Sequence, residues 1–299
     1  MNQPFIGSEA LADGSLTRHA LRRDFTALHK DVYVANGTTM TPTLRAKACW
    51  LRSRRRGVLA GFSASALHGA RWIDASRPAA IIDSNRRRTR GATAWADRIE
   101  DDEICVIDGM RVTTPARTAL DIACRYPVDT AVAAIEDLAR ATHLKMADVD
   151  LLAHRYRGRR GIRDARIALD LVDPGAGSPR ETSLRLLLIR AGFPRPQTQI
   201  PVYNEFGVLI AVIDMGWEDI MVGADYEGDH HRSPHQFSKD VRRFEQITEI
   251  GWIDIRVTSR DTEADIVRRI AAARARRMER DGEKSNEISP WRYARRTTA

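Results

Sequence analysis

The chain has 299 residues, 43% of them hydrophobic and 29% charged, with a formal net charge of +8 and a sequence pI near 9.8. That length and apolar content suffice for two or three domain cores, and the basic excess favours an anionic partner held in a salt-sensitive way. Three cysteines, Cys49, Cys105 and Cys124, without zinc-type spacing argue against a disulfide framework or structural zinc, and with no signal-like N-terminus or long apolar run the protein is expected in the cytoplasm, off the membrane.

Residues 16–23 read as a short helix and residues 25–36, with Lys30-Asp-Val-Tyr-Val-Ala35, as a two-stranded wing. A helix followed by a β-wing is a reduced winged helix. A helix from about Thr43 to Arg52 carries Leu44, Lys47, Ala48 and Leu51, and a helix of small residues with Ala64, Ala66, Leu67 and Ala70 follows Ser63. The segment Gly61-Phe-Ser-Ala-Ser-Ala-Leu-His-Gly-Ala70, with the wing and the helix start Thr114-Pro-Ala-Arg-Thr-Ala-Leu-Asp121, resembles the AbiEi-type antitoxin and regulator family. That resemblance implies that a winged helix over residues 1–75 binds DNA, with Arg22, Arg23, Lys30, Arg54 and Arg55 as the candidate contacts. It also implies a middle α/β domain over residues 76–173 that is structural or meets a protein partner. His68, in an apolar helix, reads as a hydrogen-bonded core residue.

Arginine recurs in clusters: Arg52, Arg54, Arg55 and Arg56; Arg86, Arg87, Arg88 and Arg90; Arg155, Arg157, Arg159, Arg160 and Arg163. Each cluster alone suits a solvated face or loop, and their repetition is the hint of nucleic acid. Asp173-Pro-Gly-Ala-Gly-Ser178 reads as the main linker. Ser178-Pro-Arg-Glu181 is a capping box with Pro at the first helical position, and Leu184, Leu187, Leu188 and Ala191 give the helix an apolar face. Glu181 suits the cap, and a place in a metal site stays open for it as well.

The run from Val208 to Ile213 has the character of a buried strand, yet it ends at Asp214; the next strand brings Asp225 and Glu227, followed by His230 and His231. Asp225 and Glu227 share a strand face, and a hairpin pairing lets all three carboxylates converge. Carboxylates held that close repel, and a hard divalent cation with oxygen ligands relieves them, which makes a candidate Mg²⁺ or Mn²⁺ site. Solvated edge charges and a Gly228-Asp229 turn are the plainer account of the same residues.

A helix from Ser233 follows, with Phe237, Val241, Phe244 and Ile247 on one face, Asp240 and Arg243 three apart as for a surface ion pair, and Gly251 as its stop. A strand from Trp252 to Val257 completes an αβββαβ order. The string Asp214, ten residues, Asp225-Tyr-Glu-Gly-Asp-His-His231, the Asp240/Arg243 helix and Gly251-Trp-Ile-Asp-Ile-Arg256-Val resembles the nuclease-like domain related to very-short-patch-repair endonucleases, in the PD-(D/E)XK superfamily. The resemblance spans residues 178–261. It implies metal-dependent DNA cleavage, with Asp214, Asp225 and Glu181 as metal ligands and His231 as the proton-handling group. Glu227 stands where the superfamily pattern has Lys, so Arg243 or His231 takes over that role. The fold expected is α/β (α+β): winged helix, middle α/β domain, restriction-endonuclease-like αβββαβ domain. An arginine-rich helix from Asp265 to Arg280 and a polar, disordered tail make up residues 262–299. A DNA-binding regulator whose nuclease fold is a scaffold is the competing expectation.

Overall fold

The computed structural model describes residues 3–85, 87, 89–228 and 234–287, of which 234–241 and 280–287 are given by their backbone. The chain divides into two compact units, Met1–Pro174 and Gly175–Ala299, so the seam falls inside the Pro/Gly-rich linker.

Unit 1 begins with β1 (Phe5–Ile6), α1 (Gly7–Ala12), α2 (Arg18–Asp24) and a hairpin of β2 (Phe25–His29) and β3 (Val32–Ala35). The three strands form an antiparallel sheet in the order β1-β3-β2. Thr17 caps α2 by accepting the Ala20 N–H at 3.1 Å, and Asp31 turns the hairpin at φ 65°. The helix-then-wing arrangement expected from residues 16–36 is present. α3 (Pro42–Arg52), capped by Thr41 with Pro42 at its start, buries Ala48 and Leu51 against Ile6 and Val32.

A five-stranded sheet follows, from β4 (Val58–Leu59), β5 (Ala79–Ile82), β6 (Ala92–Trp95), β7 (Ile104–Ile107) and β8 (Met110–Thr113), in the order β6-β5-β4-β8-β7. α4 (Gly61–Leu67) supplies Ala64 to its core, and α3 supplies Ala46 and Cys49. The division expected near residue 75 is therefore not where the packing thins. β4 and α4 precede that point yet belong with the strands after it, because β4 satisfies its backbone only between β5 and β8. His68 is half-buried, with Nε2 2.8 Å from the Thr113 carbonyl, as a packed residue should be. The helices α5 (Pro115–Arg125), α6 (Val128–Thr142), α7 (Met146–Arg155) and α8 (Ile162–Leu171) complete the unit, burying Leu120, Ile135, Leu138 and Val149.

Unit 2 runs α9 (Pro179–Arg190), β9 (Gln197–Tyr203), β10 (Leu209–Trp217), β11 (Val222–Glu227), α10 (Pro234–Glu249), β12 (Ile253–Thr258) and α11 (Glu263–Glu287). This is the expected αβββαβ order with one more helix. The sheet order is β12-β11-β10-β9, antiparallel except where β12 joins β11 in parallel after the α10 crossover. One apolar layer joins Leu184 and Leu188 of α9, Met215 and Trp217 of β10, and Ile266 and Ile270 of α11. The opposite layer joins Ile200, Ile213, Ile247 and Trp252. Phe244, expected on the buried face of α10, is 40% exposed and lies under the Arg256 guanidinium, 5.2 Å from its ring centre.

The helix α11 continues to Glu287, beyond the Arg280 end read from the sequence; residues 288–299 of the expected tail lie outside the described residues. Several of its arginines turn inward rather than outward. Arg269 donates to Asp261 at 2.9 Å, Arg274 lies 4.4 Å over the Trp217 ring, and Arg277 donates to the Gly251 carbonyl. Their stems cover apolar surface while their heads find partners, so the helix's basic composition serves packing. Among the described residues no helix is long and apolar enough to cross a membrane.

Candidate functional site

Strand β10 pairs with β11 over Met215–Trp217 and Val222–Ala224. Past Ala224 the ladder stops while β11 stays paired to β12 as far as Glu227↔Thr258, so the two acidic strands part. Two aspartates close the gap. The Asp214 N–H donates to Asp225 Oδ1 at 2.7 Å, and the Tyr226 N–H donates to Asp214 Oδ2 at 2.8 Å. Strict alternation would keep Ile213 and Met215 on one face, but they lie in opposite apolar layers, so β10 turns over at Asp214. Its neighbour β9 turns with it, since Gln199 has φ 52°. Gly216 and Gly223 pair beside this point, where a Cβ on Gly216 would come within 2.4 Å of the Val222 carbonyl oxygen. The close approach of the strands needs Gly216, while Gly223 leaves room for the Ile213 side chain.

The Arg243 guanidinium donates to Asp225 Oδ2 at 3.1 Å and to the Val212 carbonyl at 2.5 Å. Glu227 is taken by Arg256. Glu181 keeps its capping role, accepting the Gly177 N–H at 2.7 Å while the Ser178 hydroxyl accepts the Glu181 N–H at 3.3 Å. It also accepts from Gln199 Nε2 at 3.2 Å and stands near enough to act electrostatically on Asp214. Burial pushes the Asp214 carboxyl up to about 7, with Asp225 and then Glu181 adding to the rise. Burial also raises Asp225, opposed first by the Asp214 N–H and then by Arg243.

The fold thus brings Asp214, Asp225, Glu181, Glu227 and Arg243 into one cluster, but two of the acids already hold guanidiniums. His231 lies outside the described residues, and Asp240 lies in α10 where the backbone alone is described. Sequence reasoning missed Asp254 on β12, whose side chain is buried and which burial and then Asp225 push up to about 7. It also missed Arg256 as the partner of Glu227. The alternation Ile253-Asp-Ile-Arg-Val257, which sets Asp254 and Arg256 on one face, was the available signal. Among the described residues no group of three or more His, Cys, Asp or Glu is arranged to hold a metal ion.

In unit 1, Arg22 and Lys30 are exposed and Arg23 pairs with Asp24 at 2.8 Å. Arg54 and Arg55 are bound within the unit, Arg54 to Asp31 at 3.1 Å and Arg55 to Glu9 at 2.6 Å. The Arg155–Arg163 stretch is not wholly a solvated face either. Arg155 pairs with Asp102 and Glu103, and Arg159 with Asp97 and Asp121, around a cavity of about 490 Å³.

Two proteins of Mycobacterium tuberculosis, from strains CDC 1551 / Oshkosh and ATCC 25618 / H37Rv, are similar to this chain. Each is 30% identical over 175 residues, which is 58% of this chain and 64% of the relative. The match therefore covers less than two thirds of their length, and both are described as uncharacterized. No protein-family profile and no solved structure matches.

Proposed function

We propose that unit 2 hydrolyses DNA phosphodiesters with a divalent cation, Mg²⁺ or Mn²⁺, and that unit 1 binds DNA. The observation that carries this reading is the pair of half-buried Asp214 and buried Asp225, set where two strands part inside an αβββαβ order. It is joined by the resemblance to very-short-patch-repair-like endonucleases over the same residues. Five acids, Glu181, Asp214, Asp225, Glu227 and Asp254, lie with two guanidiniums, Arg243 and Arg256, and the raised pKa values of Asp214, Asp225 and Asp254 mark carboxylates that a cation would relieve. Mg²⁺ commonly takes one or two carboxylates and completes its shell with water and substrate phosphate, so the donor set fits without a third side-chain ligand.

In this reading Asp214 and Asp225 hold the cation, with Glu181 beside Asp214 and Glu227 on the far side of Asp225. Arg243 fixes Asp225 and tethers it to the Val212 carbonyl. His231 handles a proton. The bound ion would lower the pKa of a water and offset charge on the scissile phosphate. Unit 1 fits a DNA-binding role by charge, with 28 Lys and Arg against 21 Asp and Glu in residues 1–174, a net +7 of the chain's +8.

Asp225→Ala should abolish Mg²⁺-dependent nicking of plasmid DNA while the protein stays folded; equal nicking by variant and wild type would exclude the site. The competing reading, a DNA-binding regulator with a scaffold of nuclease type, is favoured by the guanidiniums already seated on Asp225 and Glu227. DNA binding without cleavage, across metals and DNA forms, would establish it.

A further inference from the structure

Among the described residues, Asp254 is the one acid with both carboxylate oxygens buried and without a hydrogen-bond partner. Its side chain is 0% exposed, and neither carboxylate oxygen has a hydrogen-bond partner among the described residues. The nearest cation, Arg256, presents Nε at 3.7 Å from Oδ2, beyond hydrogen-bond length, and its guanidinium is taken by Glu227 and lies over Phe244. Gly223, paired directly with Asp254 across β11 and β12, offers no side chain, and Ile213 leans into the space a Cβ there would fill. An ionised carboxylate in such surroundings is relieved by a cation or by a proton.

Asp225 lies on the central strand between β10 and β12; Asp254 pairs with Gly223, two residues before Asp225, so Asp225 and Asp254 sit diagonally on one face of the β11–β12 pair. Among the described residues each Asp225 oxygen accepts one bond, from the Asp214 N–H and from Arg243, which leaves each a second lone pair. We propose that Asp225 and Asp254 form a divalent-cation position of their own, on the β12 side of Asp225 and away from Asp214. This deepens the reading of the cluster as a metal-dependent site and rests on it. The class of ion is hard and oxygen-seeking, Mg²⁺ or Mn²⁺, with water filling the rest of its shell.

The test is Mn²⁺ binding to the full-length chain, followed by electron paramagnetic resonance, for wild type, Asp214→Asn, Asp225→Asn and Asp254→Asn. Asp254→Asn, still folded by circular dichroism, should lose one bound Mn²⁺ per chain that Asp214→Asn retains, and Asp225→Asn should lose it too. Wild-type stoichiometry and affinity in Asp254→Asn would overturn the proposal while leaving the Asp214–Asp225 reading intact. No Mn²⁺ bound by the wild type would sink both. A wild-type measurement guards against misfolding of the variant: Fe²⁺ with ascorbate and peroxide should cut the backbone in β12 around Asp254. Cuts confined to β10 and β11 would also overturn the assignment.

Discussion

Arg117 is completely buried, with Nη1 on Glu103, Nε 3.0 Å from Asp121 and Nη2 3.1 Å from the Arg98 carbonyl. Removing one partner from such a network leaves buried charges uncompensated. Arg117→Met should therefore destabilise unit 1 by about 3–5 kcal/mol in chemical denaturation, and a loss under about 1 kcal/mol would contradict the network's role. Two residues give opposite pH signatures. Burial, then Arg52 and Arg45, holds the His29 imidazole down to about 4, so its contribution is present above the unfolded value and is lost as pH falls through the 6.5-to-4 window. Asp214, raised to about 7, favours the folded state when protonated; in metal-free buffer its contribution is lost as pH rises from about 4 through 7. Thermal melts across pH 4–7 should show a smaller rising component in His29→Gln and a smaller falling component in Asp214→Asn, Asp254 keeping its own share of the fall. Unchanged profiles in both would refute these environments.

At the scale of elements, the start of α8 depends on one residue without a side chain. Gly161 has φ 81°, and a Cβ there would lie 2.1 Å from the Cys124 carbonyl oxygen at the end of α5. Gly161→Ala has no flexible neighbour to displace, so it should cost more than about 1 kcal/mol, beyond the usual helix-terminus effect, and soluble expression with an unchanged melting point would contradict it. α9 is held by its cap, and Ser178→Ala should lower unit 2 stability by about 1 kcal/mol. It should also loosen Glu181 beside Asp214, which amide exchange at the first turn of α9 would register. The cap box, the Pro starts of α5 and α9 and the αβββαβ order were legible because each rests on local chemistry: a side-chain oxygen for an orphan N–H, a ring that presets φ, a period of apolar residues. The reversal of β10 at Asp214 was not legible, since it appears only when β9 and β11 are both in place.

For the whole molecule, the uneven charge gives a direct expectation. A fragment of residues 1–174 should retain most of the sequence-independent DNA affinity, with log K falling linearly against log salt. Fragment 175–299 should bind far more weakly at the same low salt. Equal binding by the two, or none by the first, would move the DNA contacts elsewhere. Arg54 and Arg55 contribute less to this than Arg22 and Lys30 if their ties to Asp31 and Glu9 persist, because an arginine already paired releases fewer counterions on meeting a phosphate.

The sequence by itself determined the linker, most of the elements and the two acids Asp214 and Asp225, because spacing, caps and turn residues act over a few positions. It also marked residues 25–36 as a wing through its two short alternating strands. Only the tertiary structure decided which charges meet. Glu227 finds Arg256 and Asp225 finds Arg243 through pairings distant in sequence, and Asp254 becomes an acid without a hydrogen-bond partner among the described residues only once β12 lies parallel to β11. The same holds for the arginines of α11 and for Arg117, whose composition suggests solvent and whose packing denies it. A residue's type sets what it can bond; its burial and neighbours, which the fold alone supplies, set what it does bond.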